Sequence, residues 1–274
     1  MAAPSQSATP ETRAQLNPHC QAVIDARGVA TLTICNAGPL IIFNSTVIDA
    51  VRSGLEALAK NDRIRVLIIR GDSERAFVGG ADIKEMVDLN QASAEAMITR
   101  LRDACEAVRQ FPAPVIARIP GWVLGGGLEF AACCDFRVAS DNSHYGMPEV
   151  RVGIPSVIHA ALLPRLIGSS RTRWLLMTAE NIDAATALDW GLVDVVTSAA
   201  NLDAEVEKLV GTLLLCGHEA LAAQKRLMHQ WEELPLKQSI DATIKVFGQS
   251  FLTGEPQRYM REFVNRPRSA KKKK

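Results

Sequence analysis

Long apolar runs are missing from this 274-residue chain. No stretch approaches the ~18 apolar residues that a membrane-spanning helix needs. The first eighteen residues are rich in Ala, Ser, Pro, Thr and Gln and have no apolar centre, and Arg13 is their only basic residue. They do not read as a secretory signal. An excess of one charge is missing as well. Lys and Arg number 31 against 30 Asp and Glu, so composition offers no electrostatic footprint for nucleic acid. Aromatics make up only 5%, which argues against RNA binding. The local exception, Lys271 to Lys274, reads as a solvated tail.

Six cysteines (Cys20, Cys35, Cys105, Cys133, Cys134, Cys216) show no CxxC spacing. A disulfide framework is not expected in a chain of this kind, nor is metal ligation. The five histidines never form HExxH. A GxGxxG fingerprint, a Gly-Lys-Ser/Thr P-loop and a GxSxG elbow are also absent, which removes the usual dinucleotide, nucleotide and serine-hydrolase readings. No metal or separate cofactor is expected, and the cytoplasm is the natural compartment for such thiols.

A composition of 47% hydrophobic and 22% charged residues is that of a globular protein, long enough to bury a substantial core. From about Gln21 to Val196, short β-branched runs (Val29–Cys35, Arg65–Ile69, Pro114–Ile119) alternate with helical patterns. Ser45–Ala59 spaces Val47, Ile48, Val51, Leu55 and Leu58 at helical intervals, with Ser45 as the expected N-cap. Ala92–Phe111 does the same through Met97, Leu101 and Val108. After Val196 only helical patterns remain: Leu202–Cys216, Glu219–Glu232, Ser239–Leu252 and a shorter one to about Val264. The pattern predicts a mixed α/β core over residues 20–200 and a helical region over 201–265. A disordered extension (1–19) precedes them and a basic flexible tail (266–274) follows.

Within that core, FVGGADIKEM (Phe77–Met86) and GWVLGGGLEFA (Gly121–Ala131) place glycines 45 residues apart, counted from Gly80 to Gly125. The triplet Gly125-Gly126-Gly127 stands between a strand-like stretch and an apolar helical run beginning at Leu128. A glycine turn at a helix start presents unpaired N–H groups, and glycine permits close approach of a reacting carbonyl oxygen. Glu129 follows in the first helical turn, and Glu149, in the MPE segment, comes 20 residues later (149 − 129). Two carboxyl groups facing one pocket do not both ionise freely, which suits proton transfer.

These residues resemble those of the crotonase (enoyl-CoA hydratase/isomerase) superfamily. The resemblance covers roughly Val23 to Val264 and is strongest between Phe77 and Pro155. It implies ββα units wound into a spiral core, and a C-terminal helical region that packs between subunits of a homotrimer or dimer of trimers. It implies an oxyanion hole from the N–H groups of Ala81 and Gly126, and Glu129 and Glu149 as the catalytic pair. Glu129 is then expected as base on a water and Glu149 as acid toward the α-carbon, a division that could be reversed or shared. Gly80, Ile83, Lys84, Gly125, Pro148, Pro155 and Ser156 are implied substrate contacts, and Arg266 and Arg268 are candidates for CoA phosphates. The partner is an acyl-CoA thioester, so coenzyme A enters with the substrate. The implied activity is hydration of a 2-enoyl-CoA. Isomerisation of an enoyl-CoA, or binding of acyl-CoA without turnover, uses the same hole.

The sequence departs from the family's glycine-rich stretch after the second glutamate: it reads Gly153-Ile154-Pro155-Ser156-Val157-Ile158-His159. Larger side chains there are expected to reshape the acyl pocket. His159 either faces that pocket or packs away from the chemistry.

Overall fold

A computed structural model of the chain describes residues 12–266. It divides into two units, Met1–Gly211 and Thr212–Lys274. In the first, β1 (Thr12–Asn17), β2 (Cys20–Ile24) and β3 (Val29–Ile34) form an antiparallel meander. After β4 (Ile42–Phe43), α1 (Ser45–Ala59) leads to β5 (Val66–Gly71), which lies parallel to β3. Next come β6 (Ala76–Val78), β7 (Gly80–Ala81), α2 (Ile83–Met86) and α3 (Gln91–Arg109), then β8 (Val115–Ile119), β9 (Trp122–Leu124) and α4 (Gly126–Ala132). β10 (Phe136–Ser140), β11 (His144–Gly146), α5 (Leu163–Thr178), β12 (Ile182–Asp183), α6 (Ala184–Trp190) and β13 (Val195–Thr197) complete the strands.

Seven strands form one sheet in the order β1-β2-β3-β5-β8-β10-β13, and a smaller sheet runs β12-β11-β9-β6. Three successive stretches each give one strand to either sheet: β5 and β6, β8 and β9, β10 and β11. This is the repeated ββα winding that the resemblance implied. β8, the sequence VIARI, is buried along its whole length, as a parallel strand covered on both faces must be. Phe43, Phe77 and Phe130 pack ring against ring in the core, Phe130 lying 5.4 Å from Phe43 and 6.1 Å from Phe77.

The α1 pattern is realised fully: Val47, Ile48, Val51, Leu55 and Leu58 are all buried. Its cap is Asn44, whose side chain accepts the Val47 N–H, rather than Ser45. Ser45 instead gives its backbone N–H (2.8 Å) and its hydroxyl to Glu85. Residues 12–17 also correct the expected extension. They pair with β2 as an edge strand, because Gln21 to Ile24 needs a partner on its outer side.

The units divide at residue 211 rather than near 200. Leu202, Val206 and Val210 of α7 (Leu202–Leu214) are buried, and Asp203 pairs with Arg118 of β8, so most of α7 belongs to the sheet-bearing unit. The second unit holds α8 (His218–Glu233), α9 (Leu236–Ser250) and α10 (Glu255–Val264). There the buried Glu255 carboxylate accepts the Ala220 N–H at 3.0 Å, and Tyr259 donates to the Cys216 carbonyl at 3.1 Å. Arg268 and the tail beyond it lie outside the described residues. No helix among the described residues is long and apolar enough to cross a membrane.

Leu55 is fully buried, so Leu55→Ala is expected to lower unfolding free energy by about 2–5 kcal/mol. Asn44→Ala should cost about 1 kcal/mol through loss of the cap. Urea denaturation of both variants checks the ranking.

Candidate active site

The chain leaves β9 and turns at Gly125 before α4 begins. Gly125 has φ 52° and ψ −126°, a conformation that an L side chain rarely adopts. A Cβ at this position would lie 2.6 Å from Glu149 Oε1. The same close approach places the Glu149 carboxyl directly over the turn. At Gly127 a Cβ would meet the Val78 carbonyl at 2.2 Å, so the helix start can press against β6 only without a side chain. On the other side, β4 pairs with β7, and the Asp82 N–H bonds to Phe43 O at 3.0 Å. Alternation along a parallel strand then turns the Ala81 N–H away from β4.

A cavity of about 210 Å³ opens between these segments. Gly80, Ala81, Gly125, Gly126, Glu129 and Glu149 all stand on its wall. The backbone groups and both carboxyls singled out from the sequence are therefore brought together. Ile83, Pro148 and Pro155 line it too. Ser156 reaches the site through Glu149, donating from Oγ to Oε2 at 2.9 Å. Lys84 does not join them: it is exposed on α2, outside the lining residues, and its backbone N–H is taken by Asp82. Arg266 lies over the Phe263 ring at 5.9 Å in the second unit.

Glu129 is only 3% exposed. Its Oε1 accepts the Ala160 N–H at 3.0 Å. Burial pushes its pKa up to about 8; the Ala160 and Val157 N–H groups oppose that rise, and the neighbouring Glu149 adds to it. Glu149 begins the short 3₁₀ turn Glu149–Val152, which Gly153 closes in a left-handed conformation. Burial raises its pKa as well, against its own backbone N–H and the Ser156 hydroxyl. The site thus holds two carboxyl groups that both resist ionisation, beside a glycine turn.

His159 resolves to the packed alternative. It is buried, bonds through Nε2 to Glu106 Oε1 at 2.8 Å, and is not among the residues lining the cavity. Sequence reasoning missed the apolar walls from Met86, Ile98 and Leu101. These continue into an adjoining apolar space of about 260 Å³ that also touches Leu89 and Met97. The helical spacing of Met97 and Leu101 on α3 was a signal of burial, but it did not say against what.

The chain matches the enoyl-CoA hydratase/isomerase family over residues 25–272. It is 31% identical to the crotonyl-CoA hydratase of Syntrophomonas wolfei, over 87% of this chain and 92% of that protein. It is 28% identical, over the same shares, to the short-chain-enoyl-CoA hydratase of Clostridium acetobutylicum. Among solved structures, an enoyl-CoA hydratase of Mycobacterium smegmatis superposes with a TM-score of 0.87 at 25% identity, covering 92% of this chain and 98% of that one. One from Geobacillus kaustophilus gives 0.85 at 27% identity, over 94% and 100%. The paired carboxyls, the glycine turn and these likenesses agree: the chain belongs to the enoyl-CoA hydratase/isomerase family.

Proposed function

We propose that this protein is an enoyl-CoA hydratase, adding water across the double bond of a 2-enoyl-CoA to give a 3-hydroxyacyl-CoA. The observation that carries the reading is the pair Glu129 and Glu149 on one cavity wall beside Gly125-Gly126. The thioester oxygen sits between the N–H groups of Ala81 and Gly126, which stabilise it as it gains enolate charge. One such donor is typically worth about 3–4 kcal/mol in the transition state. The acyl chain runs along the apolar wall from Met86, Ile98 and Leu101.

The two carboxyls titrate as one unit. With a single proton between them the pair holds one base and one acid. In the empty site that proton rests on Glu129, the more deeply buried group. A water bound between them relays it to Glu149. Glu129 then takes a proton from the water as its oxygen bonds to the β-carbon, and Glu149 gives a proton to the α-carbon. One proton is accepted and one donated, so the pair returns to its starting charge when the product leaves.

The apolar faces of α9 and α10 support the helical region as a subunit contact. Ile244, Phe247 and Phe263 are 72%, 68% and 71% exposed, and burying them in a trimer or dimer of trimers removes that area from water.

Loss of the conjugated enoyl-thioester absorbance, with crotonyl-CoA and longer 2-enoyl-CoAs, tests the reaction directly. Saturable loss with 3-hydroxyacyl-CoA formed supports it; no loss despite binding of the thioesters overturns it. Glu149→Gln and Glu129→Gln should each lower kcat at least about 10²-fold, the usual weight of one acid–base group, while the thioester still binds. Undiminished turnover in either variant removes that residue from the mechanism.

Activity should fall as pH rises above about 8, where the last proton leaves Glu129; a kcat profile measures this. Stability carries the same signature. An unfolded glutamate ionises near 4.5 and folded Glu129 near 8, so the folded state binds the extra proton across that window. Stability should decline as pH rises from about 4.5 to about 8 and then level off. In Glu129→Gln the decline should shrink, which urea midpoints at both ends of the window will show.

A further inference from the structure

The turn Val157–Ala160 is built against its own backbone preference. Ile158 is β-branched yet has φ 36°, a left-handed conformation that such a residue adopts only where its surroundings hold it. Two contacts from adjacent residues do the holding. His159 Nε2 meets Glu106 Oε1 of α3 at 2.8 Å. Ala160 donates its N–H to Glu129 Oε1 of α4 at 3.0 Å, sharing it with the Val157 carbonyl of the same turn at 2.9 Å. One strained turn is therefore tied to two helices through two carboxylates: Glu106, partly exposed, and Glu129, on the cavity wall.

We propose that His159, anchored by Glu106, is a positioning residue for the proton-transfer pair: it holds this turn so that the Ala160 N–H stays on Glu129. The proposal rests on the hydratase reading only for its catalytic consequence. If the anchor is lost, the turn relaxes and Glu129 loses a hydrogen bond that favours its ionised form. The shared proton then sits more firmly on Glu129, and the form with the proton on Glu149 becomes rarer.

No charge on the imidazole is needed. Burial disfavours one, whereas the adjoining Cys133 sulfur and Glu106 favour one, and together they hold the ring's pKa above its ordinary value. The Cys133 thiol beside the ring is itself pushed well above the ordinary thiol range by burial, so it brings no charge to the balance. Nδ1 is buried with no hydrogen-bond partner among the described residues, which suits the lone pair of a neutral ring better than a second N–H. Either protonation state supplies the Nε2–H···Oε1 bond. A charged His159 would also lower the Glu129 pKa directly, and the other titratable groups around Glu129 are Glu149 across the cavity and the buried thiol of Cys105, with Cys133 next to it. The thiols stay protonated at neutral pH, and Glu149 is the other half of the pair.

The test uses Glu106→Ala, His159→Ala and His159→Gln in the full chain; the Gln amide can still donate to Glu106. Two readouts are taken: the pH profile of kcat and KM, and the Glu129 carboxyl titration from infrared difference spectra against the matching Glu129→Gln protein. Glu106→Ala and His159→Ala should raise the Glu129 titration and the alkaline limb of kcat by about one pH unit. The plateau kcat should fall about tenfold, the factor that one pKa unit represents, with KM within about twofold. His159→Gln should restore most of both. Unchanged Glu129 titration in Glu106→Ala, or loss in His159→Gln as deep as in His159→Ala, overturns the proposal. Should His159→Ala fail to fold, Glu106→Ala decides alone, since its side chain is partly exposed. If the wild-type protein turns over no enoyl-CoA, the hydratase reading fails, and the infrared titration still judges the positioning role.

Discussion

Burial of two carboxyl groups is the constraint on which the rest of this site depends. A carboxyl group taken out of water is costly unless hydrogen bonds replace its hydration. Glu129 meets that cost with backbone N–H groups from the turn at Ala160, and Glu149 with the Ser156 hydroxyl. The partner turn of Glu129 is strained at the β-branched Ile158, φ 36°, while Gly125 at φ 52° and Gly153 at φ 83° make the tight turns on either side of the Glu149 carboxyl. Only a rigid frame keeps such backbone in place, and the two sheets with their covering helices provide it. The fold's contribution to chemistry is thus to make an unfavourable protonation equilibrium permanent.

Legibility in the sequence followed the range of the interaction. Helix α1 could be bounded at Ser45 and Ala59 because five buried side chains repeat at one helical spacing. Its cap could not, since Asn44 and Ser45 are both good capping residues. Only the tertiary partner Glu85, forty residues on (85 − 45), draws Ser45 away from that role. Strand β1 was invisible for a similar reason: TRAQLN is largely exposed and polar, and it becomes a strand by borrowing the open edge of β2. Glycines and glutamates in the family order pointed to the cavity. Lys84 shared that motif but faces solvent, because the short α2 turns it outward while Ile83 takes the wall.

The stretch from Ile154 to His159 shows the limit most clearly. Its departure from a glycine-rich pattern was plain in the sequence, and bulk there was expected to act on the acyl pocket. Ile154 and Val157 do line the cavity. His159 instead points to Glu106, 53 residues away (159 − 106) on a different helix. No local pattern encodes a pairing at that separation. What reads as a pocket substitution is in part an anchor for the backbone behind the pocket.

The strand order of the large sheet has a consequence for how the molecule comes into being. Read across the sheet, its strands follow the order in which they occur along the chain, from β1 to β13. Each new strand can dock on an edge that earlier residues have already made. A growing chain could therefore extend the sheet from one side during synthesis, with no need to hold a gap open for a later strand. Glu129 stands between β9 and β10 in that progression, and the turn that binds it follows β11. Strands β1 to β8 would be in place before that turn arrives to bury the carboxyl.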